Sequence, residues 1–88
     1  MNKYLVEFLG SLLLIYVILA TGNPLAIGAV LTIILIVASP ISGGHINPAV
    51  SVVMASLKKI PSTELLPYIV AQVLGGLVAI ELYKRVTF

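Results

Sequence analysis

The chain has 88 residues, of which 60% are hydrophobic and 9% are charged, and its mean hydropathy is +1.19. A soluble domain of this length cannot bury so many apolar side chains, so the composition indicates an integral membrane protein. The net charge of +2 is too small and too scattered for a nucleic-acid surface. The sequence has no cysteine, one histidine and three acidic residues, too few groups for a catalytic or metal-binding cluster. We therefore expect no enzymatic activity, no metal site and no cofactor.

Three apolar segments are long enough, or nearly so, to cross a membrane as helices. They cover residues 4–21, 25–38 and 64–83. A Gly-Asn-Pro turn at 22–24 separates the first two, and the second is predicted to end before Pro40. Ser62 or Thr63 is predicted to cap the third.

Residues 39–57 indicate a loop that leads into a short helix. Gly43 and Gly44 allow backbone conformations closed to other residues, Asn47 is predicted as the N-cap, and Pro48 suits the first helical position. A helix of about 15 Å crosses only half of a hydrocarbon core of about 30 Å. Non-helical backbone at that depth is tolerated where it is buried in protein or lines a water-filled cavity, so this segment points to a pore.

The stretch Ser42-Gly43-Gly44-His45-Ile46-Asn47-Pro48-Ala49-Val50 resembles the first Asn-Pro-Ala loop of the major intrinsic protein family, the aquaporins and glycerol facilitators. Family members have six spans in two inverted repeats, each with its own Asn-Pro-Ala half-helix. The resemblance implies an all-α membrane protein with three transmembrane helices and one re-entrant half-helix, a single aquaporin-like repeat over residues 1–88. The segment 39–43, Ser-Pro-Ile-Ser-Gly, is similar to the one before the family's second Asn-Pro-Ala, so one repeat carries marks of both halves.

A single half-helix that stops at the midplane is incomplete, and an inverted second copy of the chain would supply the other half. Lys3, Lys58 and Lys59 lie on one side of the membrane and Lys84 and Arg85 on the other, which is nearly balanced. Such balance suits insertion in both orientations, although a small protein with few charges gives it as well. The family's tetramers of pores imply four antiparallel pairs, eight chains in all.

The resemblance also assigns residues to the pore. The pore centre would comprise Asn47, Pro48 and Ala49, and the pore-lining loop Gly43, Gly44, His45 and Ile46. The family's narrow outer filter corresponds to Ile27 of one copy with Leu35, Gly44 and Val50 of the other. The match implies a channel for water or a small neutral solute such as glycerol. The family normally has arginine at the position of Val50, and without that arginine we expect no strict selectivity for water.

Other polar residues have structural interpretations. Glu7 matches a first-span glutamate that holds loop backbone groups in the family, and its alternative is an ion pair with Lys3. Gln72 is expected to hydrogen-bond between helices. His45 either tunes the pore with pH or braces the loop. Three tyrosines near span ends are predicted to anchor the membrane interface, namely Tyr4, Tyr68 and Tyr83.

The sequence leaves two alternatives open. Ala71, Gly75 and Ala79 share one face of the third span, and small residues there suit either packing within the chain or a subunit interface. For function, the alternatives to a homomeric channel are a non-conducting membrane interaction protein and one half of a heteromeric channel. The expected partners are membrane lipid, a second copy, water and small neutral solutes, with no nucleic acid.

Overall fold

The computed structural model describes residues 2–86. This range folds into helices α1 (Lys3–Thr21), α2 (Pro24–Ser42), α3 (Pro48–Ser56) and α4 (Leu65–Arg85), with a short 3-10 helix at Ser62–Glu64 and no strand. The spans formed by α1, by α2 and by the 3-10 helix with α4 have mean hydropathies of 2.0, 2.4 and 1.9. The protein is therefore an all-α multi-pass membrane protein with three spans and one short helix, which confirms the predicted fold class.

Helix α4 packs against α1 through its face of small residues. Ala71, Gly75 and Ala79 are all buried in that contact. A Cβ placed on Gly75 would collide with the carbonyl oxygen of Phe8 and would lie 3.0 Å from the backbone nitrogen of Leu12. This face therefore serves packing within the chain, because close backbone approach in lipid needs small side chains.

The starts of α1 and α4 lie at the same end of the bundle. Lys3 Nζ donates to Glu64 Oε1 over 2.6 Å. The alternative in which Lys3 pairs with Glu7 is therefore wrong. Because α1 and α4 both begin at this end, α3 returns the chain to the side from which α1 entered.

Helix α2 ends four residues later than its predicted end and includes Pro40 in its last turns. A proline near a helix end removes only one backbone donor, the one that would serve the carbonyl of Ile36. Gly43 then stops the helix in the left-handed conformation, with φ 89° and its N–H bonded to the Ser39 carbonyl over 3.1 Å. The terminating signal is the glycine and not the proline.

The start of α4 also differs from the prediction. The residues proposed as its cap, Ser62 and Thr63, belong to the 3-10 helix. The N–H of Glu64 is satisfied by the carbonyl of Pro61 over 2.9 Å, and no side chain caps α4. The turn satisfies backbone groups at this end without a hydroxyl cap.

Replacing Gly75 by alanine should push α1 and α4 apart, because the added Cβ meets backbone atoms that cannot rotate away. We expect the free energy of unfolding to fall by about 1–3 kcal/mol, the usual cost of overpacking. Circular dichroism during unfolding of the detergent-solubilised protein measures the change.

Gly76→Ala is the matched control for this contact. Its Cβ would lie 3.8 Å from Ile15 Cγ1, an ordinary van der Waals distance. Its free energy of unfolding should change by less than about 0.5 kcal/mol. Equal stabilities of the two variants would contradict the close packing assigned to Gly75.

Candidate functional site

The loop 43–47 between α2 and α3 runs inward from the level of Glu7 and reaches about halfway along the helices at Ile46. Ser11 Oγ donates to the carbonyl of Ile46 over 3.4 Å, and Ile46 Cδ1 lies 2.6 Å from the position that a Cβ on Gly10 would take. Gly10 and Ser11 occupy the middle of α1, which has 19 residues. From this depth α3, nine residues long and about 14 Å at ~1.5 Å per residue, runs out to the end where α4 begins.

The carboxylate of Glu7 holds the loop in place, and its side chain is fully buried. Its Oε1 accepts from the N–H of Ile46 over 2.7 Å and from Gln72 Nε2 over 2.8 Å. Its Oε2 accepts from the N–H of His45 over 3.0 Å and from Ser42 Oγ over 2.6 Å. One side chain of α1 thus satisfies two consecutive loop amides and ties the loop to α4, and each bond is strengthened by the acceptor's charge.

Ser51 extends this network into the half-helix. Its hydroxyl oxygen accepts from Gln72 Nε2 over 2.9 Å and lies 2.8 Å from His45 Nδ1. Since Gln72 donates to the serine, the serine proton is available to the histidine ring. These contacts fix the rotation of α3 against the loop and against α4. Gln72 Oε1 is buried without a hydrogen-bond partner in the described range 2–86.

The ring of His45 points into the protein. It is buried, and it stacks on Tyr68 with ring centroids 4.6 Å apart. Tyr68 is only 2% exposed and donates its hydroxyl to the carbonyl of Ser42 over 2.7 Å. The contacts of His45 are therefore those of a brace, and the prediction that Tyr68 anchors the membrane interface is wrong.

The loop backbone is held in unusual conformations. Gly43 and Gly44 have positive φ, as predicted, but so does Ile46, with φ 59°. A β-branched residue in the left-handed region costs about 1–2 kcal/mol, so the surrounding contacts must hold it there. The bond from its N–H to Glu7 and the contact with Gly10 do so.

Asn47 caps α3, as the motif predicts, with Pro48 at the first helical position. Its Oδ1 accepts from the N–H of Ala49 over 2.7 Å. The Asn47 side chain is exposed, and within residues 2–86 its NH2 group makes no hydrogen bond. The carbonyl oxygens of Gly43, Gly44 and His45 also accept none from the described chain. The open side of the loop thus presents one donor group and several acceptors.

The four residues assigned to the filter are partly brought together. Leu35 Cδ2 and Ser39 Oγ each lie 3.1 Å from the position that a Cβ on Gly44 would take, so α2 packs directly on the loop. Val50 lies in the first turn of α3. Ile27 lies near the other end of α2, about 12 Å along the helix axis from Leu35. One chain therefore places Leu35 beside Gly44 and keeps Ile27 apart from them.

Sequence reasoning missed the hydroxyl groups of the network, Ser11 and Ser51. Ser11 follows Glu7 by four positions on α1, and because residues four apart share a helix face, this spacing was the available signal. No such signal marked Ser51, which is buried although the N-cap four positions before it, Asn47, is exposed. Within residues 2–86, no group of three potential metal ligands comes together.

Replacing Glu7 by glutamine keeps the size of the side chain but turns one acceptor oxygen into an NH2 group. Two of the four donors around it then lose their acceptor, and we expect a loss of about 2–4 kcal/mol in the free energy of unfolding. Denaturation in detergent measures the loss, and hydrogen exchange should show faster exchange of the amides of His45 and Ile46.

Glu81→Gln is the control for the loss of an acidic side chain. Glu81 is exposed and lies 3.9 Å from Lys84 and 3.7 Å from Arg85, so its replacement should cost less than about 1 kcal/mol. Unchanged amide exchange in Glu7→Gln would mean that the carboxylate does not hold the loop.

The sequence matches a known protein family. The sequence pattern of the family described as "Major intrinsic protein" matches residues 21–88. A "Glycerol uptake facilitator protein-like 6" of Lactiplantibacillus plantarum is 40% identical over 88 residues, covering 90% of this chain and 41% of the relative. An "Aquaporin Z" of Bradyrhizobium diazoefficiens is 35% identical over 97 residues, covering 93% and 40%.

A third relative, "Nodulin-26" of Glycine max, is 41% identical over 58 residues and covers 66% of this chain and 21% of its own length. The chain thus spans about two fifths of the length of the first two relatives. The family match covers residues 21–88, which include α2, the loop 43–47, α3 and α4. The chain belongs to the major intrinsic protein family.

Proposed function

We propose that two copies of the chain, inverted relative to each other, form one membrane channel for water and small neutral solutes such as glycerol. The observation that carries the proposal is the open side of the loop 43–47. Its free NH2 group, on Asn47, lies about halfway along the helices, and its free carbonyls lie between that level and the level of Glu7, at depths where hydrocarbon offers no hydrogen bonds. A water-filled path past the loop satisfies these groups.

We propose a second copy because one chain can line only half the length of a path across the membrane. Helix α3 has nine residues and starts at half depth, so it lines one half of a path. The named relatives are more than twice as long as the part this chain matches. An inverted copy supplies the opposing half-helix, and the Asn47, Pro48 and Ala49 segments of both copies then meet at the pore centre.

The central geometry suits neutral solutes that both donate and accept hydrogen bonds. Two helix N-termini facing each other place positive potential at the midplane, which opposes cations and hydronium. The Asn47 amide donates to the oxygen of a passing solute. The carbonyls of Gly43, Gly44 and His45 accept hydrogen bonds from the O–H groups of the same solute. The side chains of His45 and Ile46 are turned into the protein. His45 therefore contributes its carbonyl, whereas the N–H and the carbonyl of Ile46 are both bonded within the chain.

At each mouth, the proposed filter combines Ile27 of one copy with Leu35, Gly44 and Val50 of the other. The contact of Leu35 with Gly44 within one chain supports this arrangement. All four residues are apolar, so the mouth carries no fixed charge. We therefore expect both glycerol and water to pass.

Asn47→Asp tests the central role of the amide. Aspartate caps helices as well as asparagine does, so α3 should keep its start while the pore loses its donor and gains a negative charge. We expect osmotic water permeability of reconstituted vesicles to fall by about tenfold or more, equivalent to at least ~1.4 kcal/mol. Stopped-flow light scattering with an impermeant osmolyte measures it.

Asn23→Asp is the matched control for this substitution. Asn23 caps α2 in the same way, with a proline after it and its Oδ1 accepting from Leu25 and Ala26, but it lies at a helix end far from the loop. Its water permeability should stay within about twofold of the unmodified protein, less than ~0.5 kcal/mol. Equal permeabilities of Asn47→Asp and the unmodified protein would remove Asn47 from the pore.

The orientation of the chains can be read with single cysteines, because the sequence has none of its own. In sealed membranes of the cells that made the protein, where reconstitution has not mixed the orientations, a membrane-impermeant thiol reagent should label about half of the Ser62→Cys chains and about half of the Asn23→Cys chains. The two sites lie at opposite ends, so a single orientation would expose one site and protect the other. Purified complexes of eight chains would agree with four antiparallel pairs.

A single orientation within the active complex would contradict the antiparallel pore. It would favour a heteromeric channel if water flux were present. A single orientation without flux would favour a non-conducting interaction protein. In both cases one of the two cysteine sites would be labelled in nearly all chains and the other in almost none, instead of about half at each.

A further inference from the structure

Ser39 is the exception among the serines and threonines of the first two helices. The other four all donate a hydrogen bond within the chain, namely Ser11, Thr21, Thr32 and Ser42. Ser39 is exposed, and its hydroxyl makes no hydrogen bond within residues 2–86. A hydroxyl without a partner is costly in hydrocarbon, so this one needs water, a solute or another chain.

The surroundings of Ser39 contain further free acceptors. Its Oγ lies 3.1 Å from the position that a Cβ on Gly44 would take, and the Gly44 carbonyl is also free within the described chain. Pro40 has no N–H, so the carbonyl of Ile36, three residues before Ser39, lacks its usual helical donor. Residues three apart are neighbours on a helix surface. Ser39 thus belongs to a small polar patch at an otherwise apolar mouth.

We propose that Ser39 is the residue of the filter that favours solutes with hydroxyl groups on adjacent carbons over water. This inference rests on the proposed channel function and names one determinant of its selectivity. A polyol can bond to the Ser39 hydroxyl and to a free carbonyl at the same time through neighbouring hydroxyls. Its carbon-bound hydrogens then face Leu35, which lies one helical turn before Ser39 on the same face of α2 and contacts the same Gly44.

The patch replaces some of the hydrogen bonds to water that a polyol loses at a narrow apolar mouth. A polyol entering there must give up several hydrogen bonds to water, and apolar filter residues return none of them. A water molecule loses fewer, because it keeps bonds to the waters before and behind it. The Ser39 hydroxyl therefore matters more for the polyol than for water, and its removal should change the two fluxes unequally.

Ser39→Ala tests this inference in vesicles containing the full chain. Glycerol permeability should fall about fivefold, which corresponds to about 1 kcal/mol for one net hydrogen bond, while water permeability stays within about twofold. Thr32→Ala is the matched control, because it removes a hydroxyl on the same face of α2 that already donates to the Gly28 carbonyl over 2.8 Å. Its ratio of glycerol to water permeability should not change.

Ser39→Cys provides a second variant of nearly the same shape with a weaker hydrogen-bonding group. Its glycerol permeability should lie between those of the unmodified protein and Ser39→Ala, which separates loss of bonding from loss of packing. Equal falls in water and glycerol flux, an unchanged ratio in Ser39→Ala, or an unmodified protein that conducts water but not glycerol would each overturn the inference and leave the channel standing. An unmodified protein that folds but conducts neither would overturn the channel and this inference together.

Discussion

The bonds from the Glu7 carboxylate to the loop are the constraint on which the rest of the structure depends. The loop must place non-helical backbone at half depth in the membrane, with one β-branched residue, Ile46, in the left-handed region. That conformation costs about 1–2 kcal/mol, whereas hydrogen bonds to a charged group contribute about 1.5–3 kcal/mol each. Glu7 accepts four of them and makes no ion pair within residues 2–86, so backbone and side-chain dipoles alone stabilise its charge.

The packing of α1 on α4 brings this carboxylate to its partners. Gly75 lets the backbones of the two helices touch at Phe8, the residue next to Glu7. Gln72, about one helical turn before Gly75, is thereby placed within hydrogen-bond reach of both Glu7 and Ser51. A larger residue at the glycine would separate the helices and pull the amide away from the carboxylate. The face of small residues and the polar network are consequently one structural device.

Features with a local cause could be predicted from the sequence. The spans follow from apolar length, and the cap formed by Asn47 before Pro48 follows from side-chain chemistry within one turn. Features that depend on distant contacts could not. The left-handed Ile46 requires Glu7, and the burial of Tyr68 follows from the stacked ring of His45. Pro40 was misjudged because a proline near a helix end costs only one bond when a glycine follows to terminate the helix.

The polar groups of the chain fall into two sets, and their difference supports a pore made of two copies. The set around Glu7 faces inward and is satisfied within the chain, apart from Gln72 Oε1, so the fold needs no partner to hold its loop. The second set comprises the NH2 group of Asn47 and the carbonyls of residues 43–45; it faces outward and makes no hydrogen bond within residues 2–86. A two-fold axis in the membrane plane brings the same residues of two copies together, as in any isologous contact. In the proposed pore, an inverted copy therefore encloses a water-filled path along the open set without disturbing the closed one.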